Sequence, residues 1–138
     1  MAYDLDRFHT AQRVIYEGVL DELRRGRKTG HWIWFIFPQL DGLGRSEMSR
    51  YYGISSLDEA RAYLADPVLG GRLRQCAGIV LASKARTAVE IFGGTDAMKV
   101  RSSMTLFHRA VPVDPLFTQV LERYCAGVAD EATDAMLR

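Results

Sequence analysis

Two stretches of this chain, Ser56-Leu57-Asp58-Glu59 and Thr87-Ala88-Val89-Glu90, have the S/T-x-x-E form of a capping box. Two others, Asp66-Pro67 and Asp114-Pro115, set an aspartate directly before a proline. All four are helix starts. In the box, hydroxyl and carboxylate satisfy each other's free backbone donors. In the second form aspartate is the cap and proline takes the first helical position, where its missing N–H costs nothing. Starts this close together restrict the chain to short helices joined by tight turns.

The remaining punctuation agrees. Asp4 is read as the cap of a first helix running to about Gly26, with Phe8, Ile15, Val19 and Leu23 on one face. Ser46 opens a short helix through Tyr52, closed by Gly53, and the Ser56 helix stops at Asp66. The helix from Pro67 has the inner stripe Leu69, Leu73, Cys76, Val80. The Thr87 helix closes at Gly93, and Thr95 or Asp96 opens the next, with Val100, Met104, Phe107 and Val111 inward. The Asp114 helix ends near Gly127, and a last short one starts at Asp130. Residues 32–37 are the one strand candidate, and a single strand has nothing to pair with. They are therefore read as a buried helical turn or irregular segment. The expectation is an all-α fold, a single compact domain over 1–138 with seven to eight mostly short helices.

Composition narrows the function classes. A chain of 138 residues that is 48% hydrophobic and 25% charged is globular and long enough for one sizeable core. Eighteen basic against 17 acidic residues leave a net charge of +1, so no global field favours nucleic acid or a membrane surface. The local run Arg24, Arg25, Arg27, Lys28 ends a helical pattern, where cations oppose the helix dipole. That reading is preferred to phosphate contact. Cys76 and Cys125 are too few for a disulfide framework and lack metal-ligand spacing. No HxxH or HExxH pattern occurs, so neither a metal nor a cofactor is expected. MAYDLDRFHT has no apolar signal core, and no apolar run approaches the roughly 20 residues of a membrane span. A reduced, cytoplasmic protein is the expectation.

The chemistry-bearing candidates lie in two stretches. The first is His31 followed by the aromatic run Trp32 to Phe37, then Gln39 and the loop Gly42-Leu43-Gly44-Arg45-Ser46. Glycines before a helix start let backbone N–H groups converge on an anion, and Arg45 adds a fork for phosphate or carboxylate. A tight turn with an ordinary Ser46 cap is the preferred reading of that loop. Trp32, Trp34, Phe35 and Phe37 cannot all point inward, so at least one ring should line a groove, and each indole N–H needs a partner. The second stretch is Lys99 to Ser103: Lys99 and Ser103 sit on one shoulder of an apolar stripe, Arg101 and His108 on the other. Gly93-Gly94 before it repeats the loop geometry. Lys99 and Ser103 as an activated nucleophile is disfavoured, since i,i+4 pairs are common and no nucleophile elbow is present. Gln12 falls within an apolar face, either a satisfied core amide or one that reads a ligand edge.

GHWIWFIFPQLDGLGRSEMSRYYGI, SLDEARAYLADPVLGGRLR and MKVRSSMTLFHRA together resemble a bacterial family catalogued as domain of unknown function 1810, over essentially the whole chain. Its members are sometimes mislabelled calpastatin, a disordered inhibitor whose composition this chain does not share. The resemblance implies an almost entirely helical fold and no activity, cofactor or catalytic residue.

Two functional readings follow. One is a site for a small anionic or nucleotide-like ligand, lined by Gln12, Trp34, Gln39, Gly42, Gly44, Arg45, Ser46, Lys99, Arg101, Ser102 and Ser103. If that site is enzymatic, His31 is its acid–base group, because imidazole titrates near neutrality. The other is a non-catalytic module whose exposed aromatic face docks a partner protein. Nucleic-acid binding through Arg24 to Lys28 ranks last. The first reading requires His31, Gln39, Lys99 and Ser103 to converge from distant parts of the chain.

Overall fold

The structure is a computed structural model that describes residues 3–138. Among these residues the chain forms nine helices: α1 (Asp6–Arg24), α2 (Ile33–Ile36), α3 (Glu47–Tyr51), α4 (Leu57–Ala65), α5 (Pro67–Ala82), α6 (Ala88–Phe92), α7 (Gly94–Ala110), α8 (Pro115–Cys125) and α9 (Glu131–Leu137). The fold is all-α, one helix beyond the expected eight because the aromatic run completes a turn of its own. The nearest thing to a sheet is one parallel bridge between Leu40 and Ile54. There Ile54 N–H donates to the Gln39 carbonyl at 2.9 Å and Asp41 N–H to the Ile54 carbonyl at 2.8 Å, which pins the 38–44 loop.

The caps work as their chemistry demands. Ser46, Ser56 and Thr87 hydroxyls accept from the N–H groups of Ser49, Glu59 and Glu90, and Asp66 Oδ1 accepts from both Val68 and Leu69 at 3.0 Å. Asp114 and Asp130 cap α8 and α9 likewise. The box carboxylates differ in reach, each binding one residue further back. Glu59 Oε1 accepts from Ser55 N–H at 2.7 Å and Glu90 Oε2 from Arg86 N–H at 3.1 Å. Glu59 is also buried against Arg7, Nη2 to Oε2 3.1 Å, so its carboxylate fastens α1 to α4.

Two starts depart from expectation. Leu5, not Asp4, precedes α1 and gives no side-chain cap. α7 begins at Gly94 behind Gly93, whose φ of 79° lies in the left-handed region that glycine tolerates. Neither Thr95 nor Asp96 caps it, because the Asp96 carboxylate is held elsewhere by Lys28 (2.7 Å) and Lys99 (3.4 Å). Lys28, read from sequence as part of a helix-end basic run, instead turns inward: its ammonium also donates to the Gly30 carbonyl at 2.5 Å.

α7 is the central element. It packs against α2, α4, α6, α8 and α9, and is buried continuously from Ser102 to Phe107. Phe107 joins Tyr63 of α4 to Phe117 of α8, with ring centroids 5.5 and 5.9 Å apart. α1 lies across α2 and α5, with Phe8 meeting Tyr63 edge-on at 5.0 Å. The loop between α1 and α2 is organised by one carboxylate. Glu22 Oε1 accepts from Thr29 N–H at 2.5 Å, Gly30 N–H at 2.7 Å and Trp32 Nε1 at 3.2 Å.

Closeness of helices is visible at single glycines. A Cβ on Gly70 would strike the Leu64 carbonyl where α4 turns into α5, whereas Gly71 and Gly78 face open space. Gly71→Ala and Gly78→Ala should each stabilise the protein by up to about 1 kcal/mol, the usual helix-interior gain over glycine. Gly70→Ala should lower stability despite the same propensity gain, with all three read from urea midpoints.

Acid sensitivity follows from three carboxylates. Burial pushes Glu22 up, but the Gly30 and Thr29 N–H groups and the Trp32 indole outweigh it and hold it below 4.5. Burial likewise opposes, and the Leu69 N–H, His9 and Val68 N–H overcome, so that Asp66 sits below 3.8. The Arg109 guanidinium holds Asp134 below 3.8. A carboxylate depressed in the folded state contributes stability above its unfolded value and loses it as pH falls through the folded one. The urea midpoint should therefore fall steadily below about pH 4.5. Glu22→Gln should cost about 1 kcal/mol at pH 7, since charge-assisted hydrogen bonds exceed neutral ones by that order, and should make the acid decline shallower.

Candidate functional site

The polar residues that the fold brings together border a cleft of about 240 Å³ between the 38–44 loop, the first two turns of α7 and the start of α9. Gln39, Gly44, Lys99 and Ser102, all expected site residues, line it with Thr95 and Asp130; Leu43, Met98 and Ala132 supply apolar walls. The Leu40–Ile54 bridge fixes the backbone at Gln39, and close approach of Gly44 to the Ser49 side chain leaves no room there for a Cβ.

Gln39 is 7% exposed, and its side-chain amide makes no hydrogen bond among the described residues. Unlike Trp34 Nε1 and Ser103 Oγ, its amide atoms reach solvent through the cleft, and a ligand that displaced that water would have to supply the same hydrogen bonds. Lys99 lies across from it on α7, with its side chain 22% exposed. Its ammonium sits 5.1 Å from the Trp34 ring centroid, within cation–π range. Asp96 is shared by two ammonium groups and is closer to Lys28 (2.7 Å) than to Lys99 (3.4 Å). One carboxylate between two cations leaves Lys99 with positive charge and donors to spare.

Trp34 is the ring left partly exposed, as the crowding argument required; Trp32, Phe35 and Phe37 are 3%, 8% and 1% exposed. The expected indole partners are only half present. Trp32 Nε1 donates to Glu22, whereas Trp34 Nε1 is buried with none among the described residues. Ser103, wholly buried one turn beyond Lys99, is likewise unpartnered, and Ser102 Oγ donates back to the Met98 carbonyl at 3.1 Å.

Other expected site residues lie elsewhere. His31 is exposed and lines a separate cleft of about 310 Å³ with Val14, Gly18 and Glu22, so it does not converge with Lys99. The reason is the Glu22 carboxylate, which binds the 29–32 loop against α1 rather than α7. Gln12 is the structural tie. Its Nε2 donates to the Phe35 carbonyl (2.7 Å) and the Tyr63 hydroxyl (3.1 Å), and its Oε1 accepts from Arg72 (3.3 Å), leaving no free edge for a ligand. Arg101 donates to the Val128 and Ala129 carbonyls at 2.8 and 3.4 Å, on a different cleft wall. Gly42, with φ of 101°, lies against Met136 outside the cleft. Arg45 is exposed and forms no ion pair among the described residues, and Ser46 serves as the α3 cap.

The remaining titratable groups are structural. His9 is half-buried with Nε2 2.9 Å from Asp66 Oδ2. Burial and the neighbouring Arg109 hold His108 below its ordinary 6.5. Burial pushes the Cys76 thiol up to about 12, so it is no nucleophile at neutral pH. A larger cleft of about 610 Å³ collects Arg24, Arg25 and Lys84 at the ends of α1 and α5. Near it Arg123 of α8 donates to the Leu81, Ser83 and Ala85 carbonyls at the end of α5, while the Arg24 and Arg25 side chains make no hydrogen bond or ion pair among the described residues. Among the described residues no cluster of three or more His, Cys, Asp or Glu is placed to hold a metal, and no helix is long and apolar enough to cross a membrane.

Sequence reasoning missed Thr95, Met98 and Asp130 as cleft residues. The membership of Asp130 depends on α9 folding back on α7, where Asp130 N–H donates to Thr105 Oγ1 (2.9 Å) and Arg109 forks onto Asp134 (2.8 and 2.9 Å). No local pattern encodes that contact.

A comparison with curated proteins found no match. The chain is similar to a solved structure described as the crystal structure of the conserved hypothetical protein Rv1873 from Mycobacterium tuberculosis. The two are 50% identical with a TM-score of 0.96, over 98% of this chain and 96% of that one. The family model described as protein of unknown function (DUF1810) matches residues 2–137, and the chain belongs to that family.

Proposed function

We propose that this protein binds a small anion-bearing molecule in the cleft between the 38–44 loop and α7. The observation that carries the reading is Gln39, a residue 7% exposed whose side-chain amide has no protein partner among the described residues and opens on the same cleft as Lys99. Lys99 holds the negative charge, the Trp34 ring under it fixes the ammonium, and Gln39 reads a polar edge of the ligand. At about 240 Å³ the cleft falls below the range of roughly 300–1,000 Å³ typical of drug-sized ligands. A small acid or phosphate-bearing fragment fits that volume better than a whole nucleotide. With His31 on another cleft, the reading is one of binding and makes no catalytic assignment. The competing reading, a docking module with an exposed aromatic face, has less support because three of the four rings in the segment are buried.

Thermal shift against inorganic phosphate, small dicarboxylates, sugar phosphates, ADP-ribose and nucleotides tests it. At 100 times Kd a ligand stabilises by about 2.7 kcal/mol, which raises Tm by several degrees. Lys99→Ala should abolish the shift, and Arg45→Ala, outside the cleft, should leave it intact. No shift from any anion, or an unchanged shift in Lys99→Ala, would refute the proposal.

A further inference from the structure

We infer that the molecule taken by this cleft is a zwitterion of amino-acid size, its carboxylate on Lys99 and its ammonium on Asp130. The inference rests on the binding reading above and narrows its ligand class. The cleft wall carries both signs of charge, and the two do not cancel each other: no ion pair joins Lys99 to Asp130 among the described residues.

Geometry keeps them apart. Asp130 N–H is anchored on Thr105, six residues beyond Lys99 on α7, a rise of about 9 Å at 1.5 Å per residue. The Lys99 ammonium is drawn instead to the Asp96 carboxylate and the Trp34 ring. Asp130 keeps an unused acceptor as well. Oδ2 takes the N–H and the hydroxyl of Thr133, at 2.9 and 2.6 Å, while Oδ1 has no partner among the described residues. With Asp130 on the same cleft wall, a simple anion seated on Lys99 would leave that carboxylate to water, and a dianion would bring like charge near it. A ligand with an ammonium at that end meets both groups. Gln39, with one amide donor pair and one acceptor, serves either end.

The test is a matched five-carbon series measured by isothermal titration calorimetry: norvaline and 5-aminopentanoate as zwitterions, pentanoate as anion, glutarate as dianion, with inorganic phosphate alongside. At least one zwitterion should bind tenfold or more tighter than pentanoate and glutarate. Asp130→Asn, which keeps a capping side chain for α9, should bring that zwitterion to the level of pentanoate. Lys99→Gln should weaken every member of the series. Pentanoate or glutarate binding as tightly as both zwitterions, or a zwitterion indifferent to Asp130→Asn, would overturn this inference and leave the anion-binding reading standing. Absence of binding by the whole series and by phosphate would overturn both.

Discussion

A helix of four residues cannot satisfy its own backbone, and this protein buries one at its centre. α2 holds Ile33, Phe35 and Ile36 in the core between α1, α5 and α7, so its unpaired carbonyls and the nearby indoles call for partners from outside. α1 supplies them to Phe35 and Trp32, and Trp34 Nε1 is left without one among the described residues. Gln12 reaches the Phe35 carbonyl, and Glu22 gathers the Thr29, Gly30 and Trp32 N–H groups on one oxygen. A buried polar group left without such a partner costs about 1–3 kcal/mol, so these two side chains decide whether the aromatic segment can sit where it does. Once it does, Trp34 is delivered under Lys99 and the chain continues through Gln39 into the loop that walls the cleft.

Part of the charge of this nearly neutral chain is committed to pairs that join its helices. Arg7 meets Glu59 in the core, Arg109 forks onto Asp134, Arg74 meets Asp114 and His9 meets Asp66. Each pair joins separate elements, and Glu59, Asp114 and Asp66 also serve at helix starts, so charge here serves to fasten turns. The cluster Lys28–Asp96–Lys99 is the exception, with two cations on one carboxylate. It stands at the mouth of α7, beside an amide the protein leaves unpaired.

The candidate site was legible in the sequence to the extent that single residues announce strain. Gln39 and Gly44 follow the aromatic run toward a helix start, Lys99 and Ser102 lie in the polar stretch beside an apolar stripe, and the fold brings these four to one cleft. His31, Gln12 and Arg101 carried the same signal for other reasons. Each is a polar residue next to a core segment, but one faces solvent, one ties a carbonyl, and one holds a turn. Spacing along a helix says that a residue lies at the edge of the core, and it cannot say which neighbour will meet it there.

Sequence alone determined the helices: the caps at Ser46, Ser56, Asp66, Thr87, Asp114 and Asp130 act within three residues of themselves, and local hydrogen bonds do not need the rest of the chain. It also determined the family, since GHWIWFIFPQL and RSSMTLF carry it without reference to structure. Tertiary structure alone decided the start of α7, where Lys28 and Lys99 draw Asp96 away from a capping role and leave Gly93 to make the turn. It likewise decided which polar residues share a cleft, because α9 closes over α7 through Asp130 on Thr105 and Arg109 on Asp134. Those contacts join residues 25 apart, and a pairing over that distance is chosen by how the helices pack, not by any pattern written along one of them.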